Sequence, residues 1–442
     1  MLRSTRVAVI TLAASAALLS ASTALAKDVV IHAGTLIDGI VPRPQSQMSI
    51  LIRDDKIVSV EPGYSTPAGA EIIDLSTATV LPGLVDGHVH LTTLKRSGNQ
   101  VQKTVTNSPL DMVLAATVNA RNVLEAGFTS VRDCGGLFGA DIALKKAINL
   151  GEVVGPRMWV SGEAVGPTGG HNDWSSGFAS DISRSGWGAG LADGPEEVTK
   201  LVRQQRRLGV DQIKILPSGG VVSVGDDPAH QVMSDDEIKA AIGAAHALGL
   251  KVAAHAHGKT SIDAAIRLGA DSIEHGTYAD SGSFALFKAH ETYLVPTLLT
   301  TQLLMKAARD RPETLAPGSA AKALAVGPRK IRSFAEAYKA GVKIAFGSDT
   351  GLGQNGQEFG LMVGAGMSPM DAIMSATAGS SDLIGASDRI GSVQAGRYAD
   401  IIAVAGDPLK DITELERVDF VMKGGITYKR GGIATPVTLV NP

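Results

Sequence analysis

The chain has 442 residues, 41 basic against 44 acidic side chains, a formal net charge of −3, 44% apolar residues and a single cysteine. The mildly acidic balance argues against nucleic acid as a partner. One cysteine excludes an internal disulfide, so a large hydrophobic core must stabilise the fold, and the proportions suit a large α/β protein.

The first segment reads as an export signal. Arg3 and Arg6 give a positive start, Val7 to Leu19 is apolar, and Ala24-Leu25-Ala26 is a small-residue cleavage site. The apolar stretch is short for a bilayer span, and no later segment reads as transmembrane. The expected mature chain is exported, periplasmic in a Gram-negative cell, with no membrane span after cleavage.

Residues 27–80 read as short strands with turns: Val29–His32, Met48–Ile52, Lys56–Val60 and Glu71–Leu75, punctuated by Gly34, Gly39, Asp54-Asp55 and Pro62-Gly63. The C-terminal end has the same character, in Ala399–Val404 and Val418–Met422 followed by Lys423-Gly424-Gly425. The two ends, 27–80 and 393–442, are expected to form one small β-sandwich split by a main domain over 81–392.

That middle region alternates strand and helix, the pattern of a parallel sheet with crossover helices. Eight strands are predicted: Val85–His90, Thr129–Asp133, Met158–Gly162, Gln212–Leu216, Val252–His255, Ser272–His275, Tyr293–Pro296 and Ile344–Ser348. Among the helices, 234–248 is the clearest. Ser234 and Glu237 form a capping box, Ile238, Ala241, Ile242, Ala245 and Leu248 keep one face, and Gly249 stops it. Thr260 with Asp263, and Ser368 with Asp371, repeat the start signal. Eight strands with helices between them predict a (β/α)₈ barrel, an open doubly wound sheet being the alternative. In a barrel every strand C-terminus points into one mouth, where the active site lies.

Polar residues sit where those strands end. His88 and His90 are two apart on a strand and share a side, so both can bind one metal, although two core histidines would read the same way. Lys214 interrupts the apolar run Gln212–Leu216. A buried ammonium tends to lose its proton, and the neutral amine can take up carbon dioxide as a carbamate, an anionic ligand able to bridge two metals. His255 and His275 end two later strands and would serve a second metal. Asp349 ends the last; it can hold the first metal and accept a proton. Each has a mundane reading alone, whereas six in this order point to a metal site. Cys134 reads as a small buried packing residue.

Here the chain resembles the amidohydrolase superfamily over nearly all of its mature length. The likeness is carried by Pro82–His90, Gly127–Asp133, Ile273-Glu274-His275-Gly276, Gly347-Ser348-Asp349 and Gly391–Asp400. It implies two divalent metals, zinc above all, with His88, His90 and Asp349 on the more buried ion. Carboxylated Lys214 would bridge, and His255 with His275 would hold the outer ion. The lysine implies the two-metal branch. With two metals, a bridging hydroxide would attack an amide carbonyl, and Asp349 would carry the proton to the leaving amine.

Thr168-Gly169-Gly170-His171, Ile215–Val221 and His255-Ala256-His257-Gly258 resemble the branch of exported prolidase-like dipeptidases, imidazolonepropionase-related proteins and bacterial enzymes that hydrolyse ochratoxin A. The implied substrate is a small N-acyl amino acid or dipeptide with a free carboxylate, received by His171 and His257, with Ser218, Tyr278 and Arg132 behind them. Ochratoxin A, cleaved to ochratoxin alpha and phenylalanine, is one such amide. Residues 221–228 are expected to form a loop over the mouth. The alternatives are an Xaa-Pro dipeptidase, a cyclic amide or amidine hydrolase, and a non-catalytic binding protein, which typically loses ligands; none is missing here. The resemblance also implies a homo-oligomer.

Overall fold

The computed structural model describes residues 28–94, 100–182, 186 and 188–437. The leader expected over residues 1–26 lies outside them. No helix among the described residues is long and apolar enough to cross a membrane.

Four strands open the chain: β1 (Val29–Leu36), β2 (Gln45–Arg53), β3 (Lys56–Pro62) and β4 (Glu71–Pro82). Seven belong to the barrel: β5 (Leu84–Val89), β6 (Phe128–Asp133), β7 (Arg157–Val160), β8 (Gln212–Ile215), β9 (Lys251–Ala256), β10 (Ser272–His275) and β11 (Tyr293–Val295). Four close the chain: β12 (Ile401–Val404), β13 (Phe420–Lys423), β14 (Ile426–Arg430) and β15 (Ile433–Ala434).

The two ends make one continuous eight-stranded sheet, ordered β15-β14-β13-β12-β4-β1-β2-β3. The layers expected of a sandwich are thus arms of a single sheet. It curls so that β3 reaches the segment before β12, where Ile57 donates to the Arg397 carbonyl at 3.0 Å. Ile31, Ile50, Ile73, Ile401 and Phe420 fill its interior. The joint with the barrel is β4. It pairs with β12 through Val80, Leu81 and Pro82, and Gly83 passes the chain to β5. A Cβ at Gly83 would lie 2.1 Å from Thr129 Oγ1, so only glycine lets β5 start this close to β6.

In the barrel, β5-β6-β7 and β8-β9-β10-β11 form two parallel arcs. One seam is closed by Val165, which pairs with Ile215. The other holds the predicted eighth strand, and here the structure departs from expectation. Residues 344–348 form no regular strand; they touch β11 through Ile344 and Leu294, while Thr350 meets Val89 of β5. The cause is competition for backbone groups. Phe346 N–H is taken by the Ser375 carbonyl and Ser380 Oγ, both at 3.1 Å, and Asp349 has a φ of 54°. The segment still joins β5, since Gly87 donates to the Phe346 carbonyl at 2.8 Å and Asp349 to the His88 carbonyl at 2.8 Å.

The barrel strands read as unbroken apolar runs because both faces are covered. Ile213, Ile215, Val252, Ala254 and Ile273 are fully buried in a core shared with the surrounding helices. The helix Asp235–Ala247 has the expected capping box: Glu237 N–H donates to Ser234 Oγ at 3.3 Å, and Ser234 N–H to Glu237 Oε2 at 2.7 Å. Ser368 caps Pro369–Met374 by accepting the Asp371 N–H at 3.1 Å, without the reciprocal backbone bond, since its own N–H goes to Tyr338 Oη. Thr260 does not cap; Lys259–Leu268 has Gly258 as its N-cap, two residues earlier, without a side-chain cap.

Candidate metal centre

The barrel mouth gathers the strand ends. Period-two geometry puts His88 and His90 on one side of β5, and Asp349 arrives from the irregular eighth segment. Asp349 Oδ1 lies 3.5 Å from His88 Nε2 and 3.3 Å from His90 Nε2. Lys214 Nζ, from β8, lies 3.4 Å from the same His88 nitrogen. His255 and His257 on and beyond β9, and His275 at the end of β10, form the other group; each offers one atom within 4.8 Å of the others. The groups are contiguous, with the His88 and His275 ring centres 5.4 Å apart.

Each imidazole has one nitrogen engaged. His88 Nδ1 meets Glu274 Oε2 at 2.6 Å, His90 Nδ1 the Gly135 carbonyl at 3.1 Å, His257 Nδ1 Thr277 Oγ1 at 2.7 Å and His275 Nδ1 Thr297 Oγ1 at 2.7 Å. His255 instead turns Nε2 toward the Gly219 carbonyl at 3.3 Å. The carboxylate and carbonyl partners take up an N–H and leave the second nitrogen of those rings free to ligate, while the two hydroxyls orient His257 and His275. Burial, reinforced by the nearby Lys214 charge, lowers His88 to about 4. Burial also depresses His90, and holds His255, His257 and His275 well below the ordinary imidazole value. At neutral pH these rings are uncharged, the form a metal binds.

Behind His88 lies a charged support. Burial alone would raise Glu274, but the Arg132 guanidinium and the His88 bond overcome it and hold the carboxyl far below the usual carboxylate range. Arg132 reaches Glu274 Oε1 at 2.8 Å and Ser272 Oγ at 2.9 Å, and also donates to the Gly87 carbonyl. Asp86, raised to about 6 by burial, accepts from Ser348 Oγ, Asn355 Nδ2 and the amides of His88 and Ser348. It ties β5 to the segment carrying Asp349. His275 and Asp349 both adopt left-handed backbone, at φ 74° and 54°. Strain of this kind concentrates where a site fixes it.

A family model described as the amidohydrolase family matches residues 79–427. This chain is an amidohydrolase. It is 35% identical to the ochratoxinase of Aspergillus niger, over 94% of this chain and 90% of that protein. The solved A. niger ochratoxinase superimposes with a TM-score of 0.81 over 94% of this chain and 99% of the other. A Xaa-Pro dipeptidase solved with methionine in its active site is similar at TM-score 0.87 and 38% identity, covering 91% of this chain and all of that one. An imidazolonepropionase of Fusobacterium nucleatum is 25% identical over 80% of this chain and 83% of that one. Together these make the chain a hydrolase acting on amide bonds.

The amidohydrolase mouth opens into a cavity of about 480 Å³. His88, His90, Lys214, His255, His275 and Asp349 form one end, and Leu137, Phe138, Trp174, Phe178, Val221 and Val224 supply an apolar wall. The predicted contacts divide. His171 and His257 face the cavity. His171 stacks on His255 at 4.4 Å and is bonded to Ser223 Oγ at 2.8 Å. Burial drops His171 to about 4, so it is a neutral ring; Ser223 Oγ donates to Asp226 Oδ1 at 2.6 Å and accepts the His171 Nδ1–H, which leaves Nε2 as an acceptor. Ser218, Tyr278 and Arg132 do not line the cavity. Arg132 is spent on Glu274, and Ser218 Oγ accepts the His257 amide at 3.0 Å and donates to the Gly219 carbonyl at 2.9 Å. The expected loop is present: Val221 to Val224 line the cavity, while Lys322 pins the turn through Asp226 Oδ1 at 3.0 Å and the Gly220 and Ser223 carbonyls.

Cys134 is buried, with its thiol pushed up to about 11 by burial, which suits packing rather than nucleophilic chemistry. Sequence reasoning missed the roles of Glu274 and Lys330. Glu274 had a signal, a charge inside the run Ser272-Ile273-Glu274-His275. Lys330 sits within a helix and had none: it is buried and donates to Thr297 Oγ1 at 2.6 Å and the Thr297 carbonyl at 2.8 Å, fixing the residue that holds His275.

Proposed function

We propose that this amidohydrolase uses two divalent metals, zinc foremost, to release an amino acid from a small N-acyl amino acid or dipeptide with a free carboxylate. In this reading ochratoxin A is among the amides cleaved, giving ochratoxin alpha and phenylalanine. One observation carries the proposal: two groups of metal donors, uncharged histidines joined on one side by the Asp349 carboxylate, meet at one end of a largely apolar cavity large enough for such a molecule.

The donor set fits two metals. His88, His90 and Asp349 would hold one, and His255 and His275 the other. Lys214 is buried, and among the described residues no carboxylate forms an ion pair with it. Carboxylation fits that setting: the Nζ–carbon bond forms from the neutral amine and CO₂, one proton leaves, and the product is an anion that can bridge. When bound, the metals would supply a water acidic enough to ionise near neutral pH and would polarise the amide carbonyl.

The protein's own groups do the rest. Asp349, partly open to the cavity, accepts the proton of the attacking water and returns it to the leaving nitrogen, so the amine departs neutral. His171 and His257 line the part of the cavity assigned to the substrate carboxylate, and Lys103, on the cavity wall, is a cation available to it. The apolar wall holds the acyl side chain and displaces water. Similarity to the Xaa-Pro dipeptidase supports a second reading in which proline occupies the leaving side. We also infer export through the 1–26 leader and assembly into a homo-oligomer.

The test is a substrate panel on metal-loaded protein: ochratoxin A, N-acyl-phenylalanines, Xaa-Pro dipeptides and cyclic amides, scored by release of free amino acid. Metal analysis should give two ions per chain. Turnover only on cyclic amides, or undiminished turnover after exhaustive chelation, refutes the proposal.

A further inference from the structure

The wall of the cavity beside β7 carries buried carboxyl groups with no ion-pair partner among the described residues. Glu163 lies just beyond β7, is 8% exposed and lines the cavity. Its Oε1 accepts the Phe138 amide at 2.5 Å. Its Oε2 has no hydrogen-bond partner among the described residues, and no lysine or arginine forms an ion pair with it. Behind it stand two more buried carboxyls, Asp141 and Asp133, likewise without an ion-pair partner among the described residues. Asp141 Oδ2 accepts the Gly162 amide at 2.8 Å, and Asp133 accepts the amides of Leu91 and Gly135. Burial, with Asp141 adding to it, raises Glu163 to about 7. A buried carboxyl without a counter-charge is costly, and the open side of this one is the cavity.

The placement is close to the reacting end. Two residues on, Val165 N–H donates to the Lys214 carbonyl at 2.8 Å, so Glu163 is only two residues from the chain's contact with the Lys214 strand. Gly136 N–H bonds the Gly162 carbonyl at 3.0 Å, which packs the 135–138 turn against the same spot. Phe138 is held there at a φ of 57°, and its ring joins the apolar wall. Apolar surface and carboxylate therefore meet at one corner of the cavity.

We propose that Glu163 is a specificity-determining residue that receives the free α-ammonium of an unblocked dipeptide whose N-terminal side chain is apolar. The assignment rests on the amide-hydrolase reading above and narrows it. The ammonium supplies the missing counter-charge and donates to Oε2, while the side chain lies against Phe138 and its apolar neighbours. An acyl group without the amine leaves Oε2 facing apolar surface.

Leucyl-phenylalanine and its des-amino analogue isocaproyl-phenylalanine differ only in that amine. Wild-type, metal-loaded enzyme should prefer the first by about 10- to 100-fold in kcat/KM, the worth of a charge-assisted hydrogen bond. Glu163→Gln should erase the preference by lowering kcat/KM for leucyl-phenylalanine alone, leaving isocaproyl-phenylalanine within about threefold and the thermal midpoint and metal content unchanged. Glu163→Leu should go further and favour the analogue. An equal fall for both substrates in both variants would show that Glu163 merely props Phe138. Equal use of both by the wild type would overturn the assignment and leave amide hydrolysis standing. Release of phenylalanine from neither, with two metals bound, would overturn the amide-hydrolase reading along with it.

Discussion

On the Asp349 side of the mouth, His88 leans on charge: its Nδ1 meets Glu274, which is held ionised by Arg132. On the opposite side, His257 and His275 lean on hydroxyls, Thr277 and Thr297, and the second is fixed by a buried cation, Lys330. A carboxylate behind an imidazole raises its basicity and strengthens it as a ligand; a hydroxyl only orients it. The two halves should therefore differ in how firmly they hold an ion. Metal on the His88 side should be retained through dialysis that strips the other side, and Lys214 lies at the junction, 3.4 Å from His88 Nε2.

The strongest way to break this comparison is at the junction. Lys214→Ala should lower kcat/KM by more than about 100-fold, exceeding the loss expected from a residue one layer further out, and metal analysis should find fewer than two ions. Full turnover with two ions retained would remove the bridging role. Next comes the charged support. Glu274→Gln should weaken metal binding on the His88 side by about 10- to 100-fold, measured by competition with a chelator of known affinity. If it loosens the other ion instead, the two supports have been assigned the wrong way round. Thr297→Val should cost less, about 10-fold at the lower end of the same range, and should affect only the more labile ion.

The smallest effect is on stability against pH, and it concerns the metal-free protein. His88 and His171 both fall from an ordinary 6.5 to about 4 in the fold. Below 6.5 the unfolded chain takes up protons that the folded chain refuses, so stability is full above that value and is lost as pH falls toward about 4. The thermal midpoint should decline across that window. Metal-loaded protein should hold its midpoint further into acid, because the ions occupy the same nitrogens. Glu163, Glu358 and Asp86 act in the opposite sense. Their carboxyls are raised to about 7, 8 and 6, so their contribution is full below the ordinary carboxylate value and erodes as pH rises through those figures. A midpoint that climbs steadily into acid would mean the carboxyls outweigh the histidines.

Much of the barrel is legible because burial leaves a period. Strands covered on both faces read as apolar runs, and a histidine or lysine at their end stands out, as at His88, Lys214 and His275. Capping is local too, which is why Ser234 with Glu237 foretells its helix. Thr260 shows the limit: the same spacing occurs, but Gly258 begins the helix and the threonine falls inside it. Arg132 shows another. As a charge at a strand end it reads as a substrate contact, yet a carboxylate 142 positions away, Glu274, claims it.

What the chain determines by itself is the alternation of elements and the inventory of donors, since both follow from spacing along one segment. Which donors meet, which charge neutralises which, and that residues 344–348 close the barrel without a regular strand were decided by the tertiary structure. Those outcomes depend on hydrogen bonds and ion pairs between residues remote in sequence. Such bonds are set by three-dimensional proximity and leave no periodic trace in the order of the amino acids.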